Sequence, residues 1–192
     1  MIKYYFFASK KDINVERFND ALYSAYPKIY EIHFLDEQNG YIVSDEYFYD
    51  SLESLIPVIM SDTDNSYTVL MCHDNSDLSR LALKKAKKGP NIYLTNMADL
   101  LFNLVIDGDY DLFFAVKKKF DTISRQLMLT AETFVSTGLN ASLAAKKLYI
   151  HRNTFAYRLN QFIEAINLDI RDYHNAQFFS IVLRLISHSK FI

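Results

Sequence analysis

The 192-residue sequence has one cysteine, Cys72, four glycines, three prolines and no tryptophan. A lone cysteine excludes an intramolecular disulfide framework and a cysteine-built zinc site. So few glycines and prolines, in a chain that is 50% hydrophobic, exclude a disordered or low-complexity polymer. No apolar run approaches the roughly 18 residues that span a bilayer. The N-terminal stretch MIKYYFFASKKD has an apolar segment far too short for an export signal. A soluble cytoplasmic protein that meets no membrane is the expectation. LKKAKKGPN matches neither a phosphate loop nor a dinucleotide fingerprint, and no internal repeat is visible.

What is present is unevenly distributed. Residues 1–111 hold 10 Lys and Arg against 18 Asp and Glu, a balance of −8, whereas residues 112–192 hold 11 against 5, a balance of +6. Such a split suggests a basic module that meets a polyanion and an acidic one with another task. The acidic part alternates strand-like and helix-like segments. Lys3–Ala8 is an aromatic strand. Val15–Tyr26 carries Phe18, Leu22, Ala25 and Tyr26 at helical spacing and stops at Pro27. IYEIHFLDEQNGYIVSDE reads as two strands joined by Asn39-Gly40, a strong hairpin signal. A helix over Tyr47–Met60, ended by SDTDNS, a strand over Tyr67–Cys72, a helix over Leu78–Lys87 and a strand over Asn91–Thr95 follow.

Beyond Met97 strand signals vanish. Leu100–Ile106 reads as a short helix ended by the turn DGDYD, and from Leu112 onward every segment reads as helix. The expected fold class is α+β, with an N-terminal α/β sandwich (a mixed, mostly antiparallel sheet with helices) followed by an all-α domain. Composition, charge sign and periodicity change together near residues 107–112, which places the units at 1–110 and 111–192.

No catalytic residue and no metal ligand is expected. Cys72-His73-Asp74 has the residue types of nucleophilic catalysis, but neighbours on a strand point to opposite faces, and a thiol in YTVLMC reads as buried and inert. Asp62 and Asp64, and Asp107-Gly108-Asp109, read as solvated turns, since they lack the glutamate-terminated spacing of a calcium loop. No cofactor is implied.

Residues 139–163, LNASLAAKKLYIHRNTFAYRLNQFI, carry the clearest signal. SLAAKKL has Ser142 as its expected N-cap, apolar Leu143, Ala144 and Leu148, and small residues that permit close helix approach. Ile150 plugs the turn. A second helix starts at Arg152 or Asn153 with Phe155, Leu159, Phe162 and Ile163 on its apolar face. His151, Arg152, Asn153, Thr154, Tyr157 and Arg158 gather on the other side. Two helices joined by so short a turn match a helix-turn-helix, whose second helix presents its first residues to the major groove of double-stranded DNA. Arg152 has the forked geometry for guanine O6 and N7, and Asn153 that for adenine N6 and N7. Thr154 adds a hydroxyl at a helix start suited to phosphate, Arg158 reaches a backbone phosphate or a neighbouring base, and Lys146 and Lys147 anchor the first helix across the backbone. Two residues have alternatives: His151 caps the turn or reads a base, and Tyr157 packs beneath the helix or faces DNA.

AAKKLYIHRNTFAYRLNQFIEAINLDIRD resembles the C-terminal helix-turn-helix of PucR/CdaR-type bacterial transcriptional regulators. That pattern is met by Ala145, Leu148, Ile150, His151, Arg152, Asn153, Thr154, Phe155, Tyr157, Arg158 and Leu159. The tail NLDIRD fits as well, with Asn167 where glycine is usual, and both residues suit a left-handed helix cap. LMLTAETFVSTGLN resembles the family's preceding helix, with Ala131 in place of the usual leucine, and FFSIVLRL its closing one, so the resemblance covers roughly residues 125–186. A looser likeness holds to the DNA-binding helices of the nucleoid protein Fis. Relatives of this type often place a degenerate GGDEF-like α/β or other sensory domain before the helix-turn-helix. The signature metal-binding and substrate-binding residues of GGDEF enzymes are missing here, which excludes that catalysis, and the chain is shorter than typical members. The resemblance implies a DNA-binding regulator acting as a homodimer, with a small-molecule effector or a dimer contact at the N-terminal domain. The alternative is a protein-docking module whose helix-turn-helix no longer binds DNA.

Overall fold

The structure is a computed structural model that describes residues 2–88 and 93–188. The chain divides into two compact units, Met1–Leu100 and Leu101–Ile192.

The first unit runs β1 (Ile2–Ser9), α1 (Val15–Ala25), β2 (Ile29–Phe34), β3 (Asn39–Asp45), α2 (Phe48–Thr63), β4 (Tyr67–Cys72), α3 (Asp77–Ala86) and β5 (Leu94–Asn96). Among the described residues the strands form one sheet in the order β2-β3-β1-β4-β5. β1 is antiparallel to both β3 and β4, and β2 is antiparallel to β3. β1 and β2 therefore run the same way with β3 between them, and β3 and β4 with β1 between them. These are two interleaved split βαβ units, to which β5 adds a parallel edge beside β4. The sheet is mixed and mostly antiparallel, as the segment pattern predicts. Of the strand expected over Asn91–Thr95, Asn91 and Ile92 lie outside the described residues.

The aromatic run of β1 is explained by its central place. Tyr5 and Phe7 point to one face, where they join Ile42, Val69 and Met71 with Phe18 and Leu22 of α1 and Phe48, Leu52, Ile56 and Ile59 of α2 in one core. Phe7 lies 4.8 Å from Phe18, and Tyr5 meets Phe48 edge-on at 4.9 Å. Phe6 points to the opposite face with its cross-strand partner Leu70. α3 packs against β1 and β4, with Ala82, Leu83 and Ala86 buried. A strand covered on both faces needs apolar residues at consecutive positions, which removes the alternation seen in half-exposed strands.

The hairpin differs from expectation in one respect. Asn39 and Gly40 are not its tip; they open β3, where Gly40 pairs with Phe34 on one side and Phe7 on the other. The reversal falls at residues 35–38. There the Asp36 carboxylate accepts hydrogen bonds from the backbone N–H groups of Gln38 and Asn39 and from the Asn39 side-chain amide. This local cap closes the turn before Asn-Gly is reached. Gly40 is needed for space instead, because a Cβ there would collide with the His33 carbonyl oxygen and the Phe7 ring. Gly40→Ala is expected to destabilise this unit by about 1–3 kcal/mol, since backbone or ring must shift to admit the methyl group. An unchanged denaturation midpoint would mean that β2 and β1 leave more room than the structure shows.

After β5 the described chain is helical: α4 (Met97–Ile106), α5 (Asp111–Phe120), α6 (Arg125–Ser136), α7 (Ala141–Lys147), α8 (Arg152–Ile166) and α9 (Tyr173–His188). The division between the units falls inside α4. In the second unit α5 packs on α9, and α6, α7 and α8 pack on one another. Its centre is aromatic. Phe120 stacks on Phe179 at 5.6 Å, Phe162 meets Phe179 edge-on at 5.1 Å, and Phe134 lies 5.9 Å from Phe155.

Candidate nucleic-acid interface

Between α6 and α7 the chain reverses through two successive left-handed residues, Gly138 (φ 68°) and Leu139 (φ 60°). Asn140 then caps α7, its Oδ1 accepting the Leu143 N–H at 3.0 Å. Ser142, expected as the cap, lies instead in the first turn of the helix and is exposed. Starting the helix at Ala141 turns Leu143 outward, 53% exposed, while Ala144 and Ala145 are buried on the side that meets α6 and α8. Small side chains at those positions let the backbones approach. Asn140→Ala should cost about 1 kcal/mol, the usual worth of a helix cap. Thermal melting of the whole chain reads it out, and no change would show that the Gly138-Leu139 reversal holds α7 without the cap.

The second reversal lies between α7 and α8. The Tyr149 N–H donates to the Lys146 carbonyl, and the Ile150 N–H to that of Ala145. Tyr149 is left-handed, with φ 53°. His151 is extended and caps α8: its Nδ1 accepts the Asn153 N–H at 3.2 Å and its carbonyl the Phe155 N–H at 3.0 Å. Capping is thus the role the structure gives the imidazole. With Nδ1 as acceptor, the ring's N–H donor is on Nε2, and the residue is exposed. The N–H groups of Arg152 and Thr154 precede the first intrahelical donor, that of Phe155, and have no carbonyl one turn back to bond, so this helix start offers positive potential.

α8 buries Phe155, Leu159, Phe162 and Ile166. Ile163, expected on that face, is half-buried, and Ile166 completes the stripe in its place. His151, Arg152, Asn153, Thr154 and Tyr157 are all exposed on the first two turns, with Arg158 half-buried beside them. Tyr157 does not pack beneath the helix. It is 64% exposed, and Gln161 Nε2 donates to its hydroxyl at 3.0 Å, which leaves the phenol proton available to an outside acceptor. Lys146 and Lys147 are exposed at the end of α7. Lys147 Nζ reaches the Ser136 hydroxyl at 3.5 Å. No acidic residue lies in the first turn of α7 or of α8.

The segment after α8 is structural. Asn167 adopts the left-handed cap (φ 50°, ψ 45°). Arg171 holds the Asp169 carboxylate with two hydrogen bonds of 2.8 and 2.6 Å, and Asp172 accepts the Asn175 N–H at the start of α9. Leu168 and Ile170 are buried. NLDIRD therefore serves to turn and anchor the chain.

This arrangement can be set against known proteins. The sequence pattern of the PucR C-terminal helix-turn-helix domain matches residues 127–185, which spans α6 to most of α9. Residues 127–185 form a PucR-type helix-turn-helix domain. An uncharacterised protein of Bacillus subtilis (strain 168), YxkF, is 41% identical over 51 residues, or 27% of this chain and 17% of YxkF. The match thus spans about a sixth of that relative's length. The crystal structure of a regulator of polyketide synthase expression from Bifidobacterium adolescentis aligns with 100% of this chain and 82% of its own, at 15% identity and a TM-score of 0.48. A likeness that loose assigns nothing to either unit. In the PucR-type domain, α7 and α8 are the two helices of the motif and Tyr149 to His151 the turn between them.

The other sequence candidates are structural. Burial pushes the Cys72 thiol up to about 12, against a hydrogen bond with Ser79, so it is not a thiolate near neutrality. Burial also works against the Asp74 carboxylate, but His73, Ser76 and Ser79 hold it below its ordinary range, and its Oδ1 accepts from both serine hydroxyls ahead of and within α3. Asp64 pairs with Lys11 at 2.8 Å. Among the described residues no group of three or more His, Cys, Asp or Glu is placed to hold a metal ion, and no helix is long and apolar enough to cross a membrane.

Proposed function

We propose that this chain is a DNA-binding transcriptional regulator whose PucR-type domain reads an operator with α8. The observation that carries the reading is the head of α8. Arg152, Asn153, Thr154 and Tyr157 stand exposed there on two turns, with no acid in the first turn and with the helix seated on a buried aromatic core. Arg152 and Asn153 supply base choice through paired hydrogen bonds, and His151, Thr154, Tyr157, Arg158, Lys146 and Lys147 supply phosphate and flanking contacts. Two copies place their α8 helices in successive major grooves about 34 Å apart, which makes the operator an inverted repeat. The acidic residues 1–110 sense a small-molecule effector or join the copies, and residues 111–192 bind DNA.

The test is selection from a pool of random duplexes by the full chain at low and moderate salt. Enrichment of an inverted repeat, with affinity falling steeply as salt rises, is the expected result. No enrichment even at low salt would overturn the reading and point to a protein partner for the same face.

A further inference from the structure

Two observations coincide at Tyr149, whereas Leu139, left-handed in the α6–α7 reversal, is half-buried. Tyr149 is held at φ 53°, a left-handed conformation that glycine enters freely and that a bulky side chain enters only against steric repulsion from its own Cβ. It is also 95% exposed, more than any other large hydrophobic side chain among the described residues. The reversal at the end of α7 calls for a left-handed residue at this position, but not for a tyrosine, and folding does not account for the exposed ring. A turn that needs only the backbone conformation is better made with glycine, and a ring left in solvent contributes no burial. Strained residues cluster at functional sites, and here the strained residue carries a ring that the fold leaves exposed.

Its surroundings indicate which contact. Tyr149 follows Lys146 and Lys147 and precedes Arg152, in a turn that also presents the Nε2 side of His151. We propose that Tyr149 is a DNA-contacting residue whose hydroxyl donates a hydrogen bond to a backbone phosphate beside the α8 groove. The inference rests on the DNA-binding reading of the domain. A phenol on a short rigid stem loses little rotamer freedom on docking, and phosphate oxygens accept such donors whatever the base sequence. Tyr149 thereby sets register and affinity, while Arg152 and Asn153 choose the bases.

The full chain and its Tyr149→Gly and Tyr149→Phe variants test this by binding to a labelled selected duplex and a scrambled one, with thermal midpoints measured alongside. Tyr149→Gly should melt at the same or a higher temperature, because it relieves the left-handed strain, yet bind both duplexes about tenfold more weakly. Tyr149→Phe should reproduce most of that weakening. If the wild-type chain binds DNA and Tyr149→Gly binds equally well, the tyrosine assignment falls while the regulator reading stands. Weaker binding to the selected duplex alone would make Tyr149 a base reader and overturn the phosphate contact, and full affinity in Tyr149→Phe would overturn the role of the hydroxyl. A lower midpoint for Tyr149→Gly would make the residue structural. A wild-type chain without DNA affinity overturns both proposals.

Discussion

Phe162→Ala is expected to destabilise the helical unit by about 3–5 kcal/mol, the cost of removing a fully buried aromatic side chain and leaving a cavity. Phe162 is fully buried, 5.1 Å from Phe179 and 6.4 Å from Phe120, where α8 meets its neighbours. Those neighbouring rings are themselves packed on each other, so they cannot easily collapse into the space. Domains are stable by only about 5–15 kcal/mol, so such a change leaves the unit near the margin of folding. Urea unfolding followed by helix circular dichroism reads it out as a lower midpoint at an unchanged slope. A cost below about 1.5 kcal/mol would mean that the core repacks like one tolerant of volume change, and that α8 is not seated by these rings.

Arg152→Ala should leave folding intact and cost about 1–3 kcal/mol of binding to the selected operator, roughly 5- to 150-fold, while relaxing preference at one base position. The residue is exposed at the first position of α8, so its truncation removes no packing. Asn153→Ala should relax a different position, although its backbone N–H remains bound to His151. Replacing Lys146 or Lys147 should act differently, weakening all duplexes alike and flattening the salt dependence by about one unit of slope for each phosphate that is no longer neutralised. This contrast separates base reading from charge attraction. Equal affinity of the Arg152→Ala protein and the wild type for operator and scrambled DNA would remove Arg152 from the reading surface.

The difference between the two halves of the chain lies in the range of the interactions that specify them. The α7–turn–α8 unit is legible because its determinants are local: a cap, a left-handed reversal, a second cap and an apolar stripe, each within a few residues of the next. His151, Arg152, Asn153 and Thr154 are exposed because they form the free end of the helix, and Tyr157 because helical spacing turns it away once Phe155, Leu159 and Phe162 turn inward. The left-handed cap at Asn167 is local for the same reason. Where nearby signals compete, local sequence does not decide the outcome. Asn140 and Ser142 are both good caps, and Asn140 prevails because it directly follows the Gly138-Leu139 reversal. Asp36 closes the hairpin before Asn39-Gly40 can, and that glycine answers to Phe7 and His33, residues brought beside it only by the assembled sheet.

The sequence by itself therefore determined that there is an α+β chain with a helix-turn-helix and which side chains stand at the head of its second helix. Strand order, the burial of β1 on both faces, the outward turn of Leu143 and the choice between packing and exposure for Tyr157 were decided by tertiary structure. Helical periodicity is written into neighbouring residues, whereas cross-strand partners and the cover over a surface come from segments distant in the chain. Tyr149 belongs to both levels. Its place in the turn is local, but only the packed α7 and α8 show its ring left exposed among the described residues.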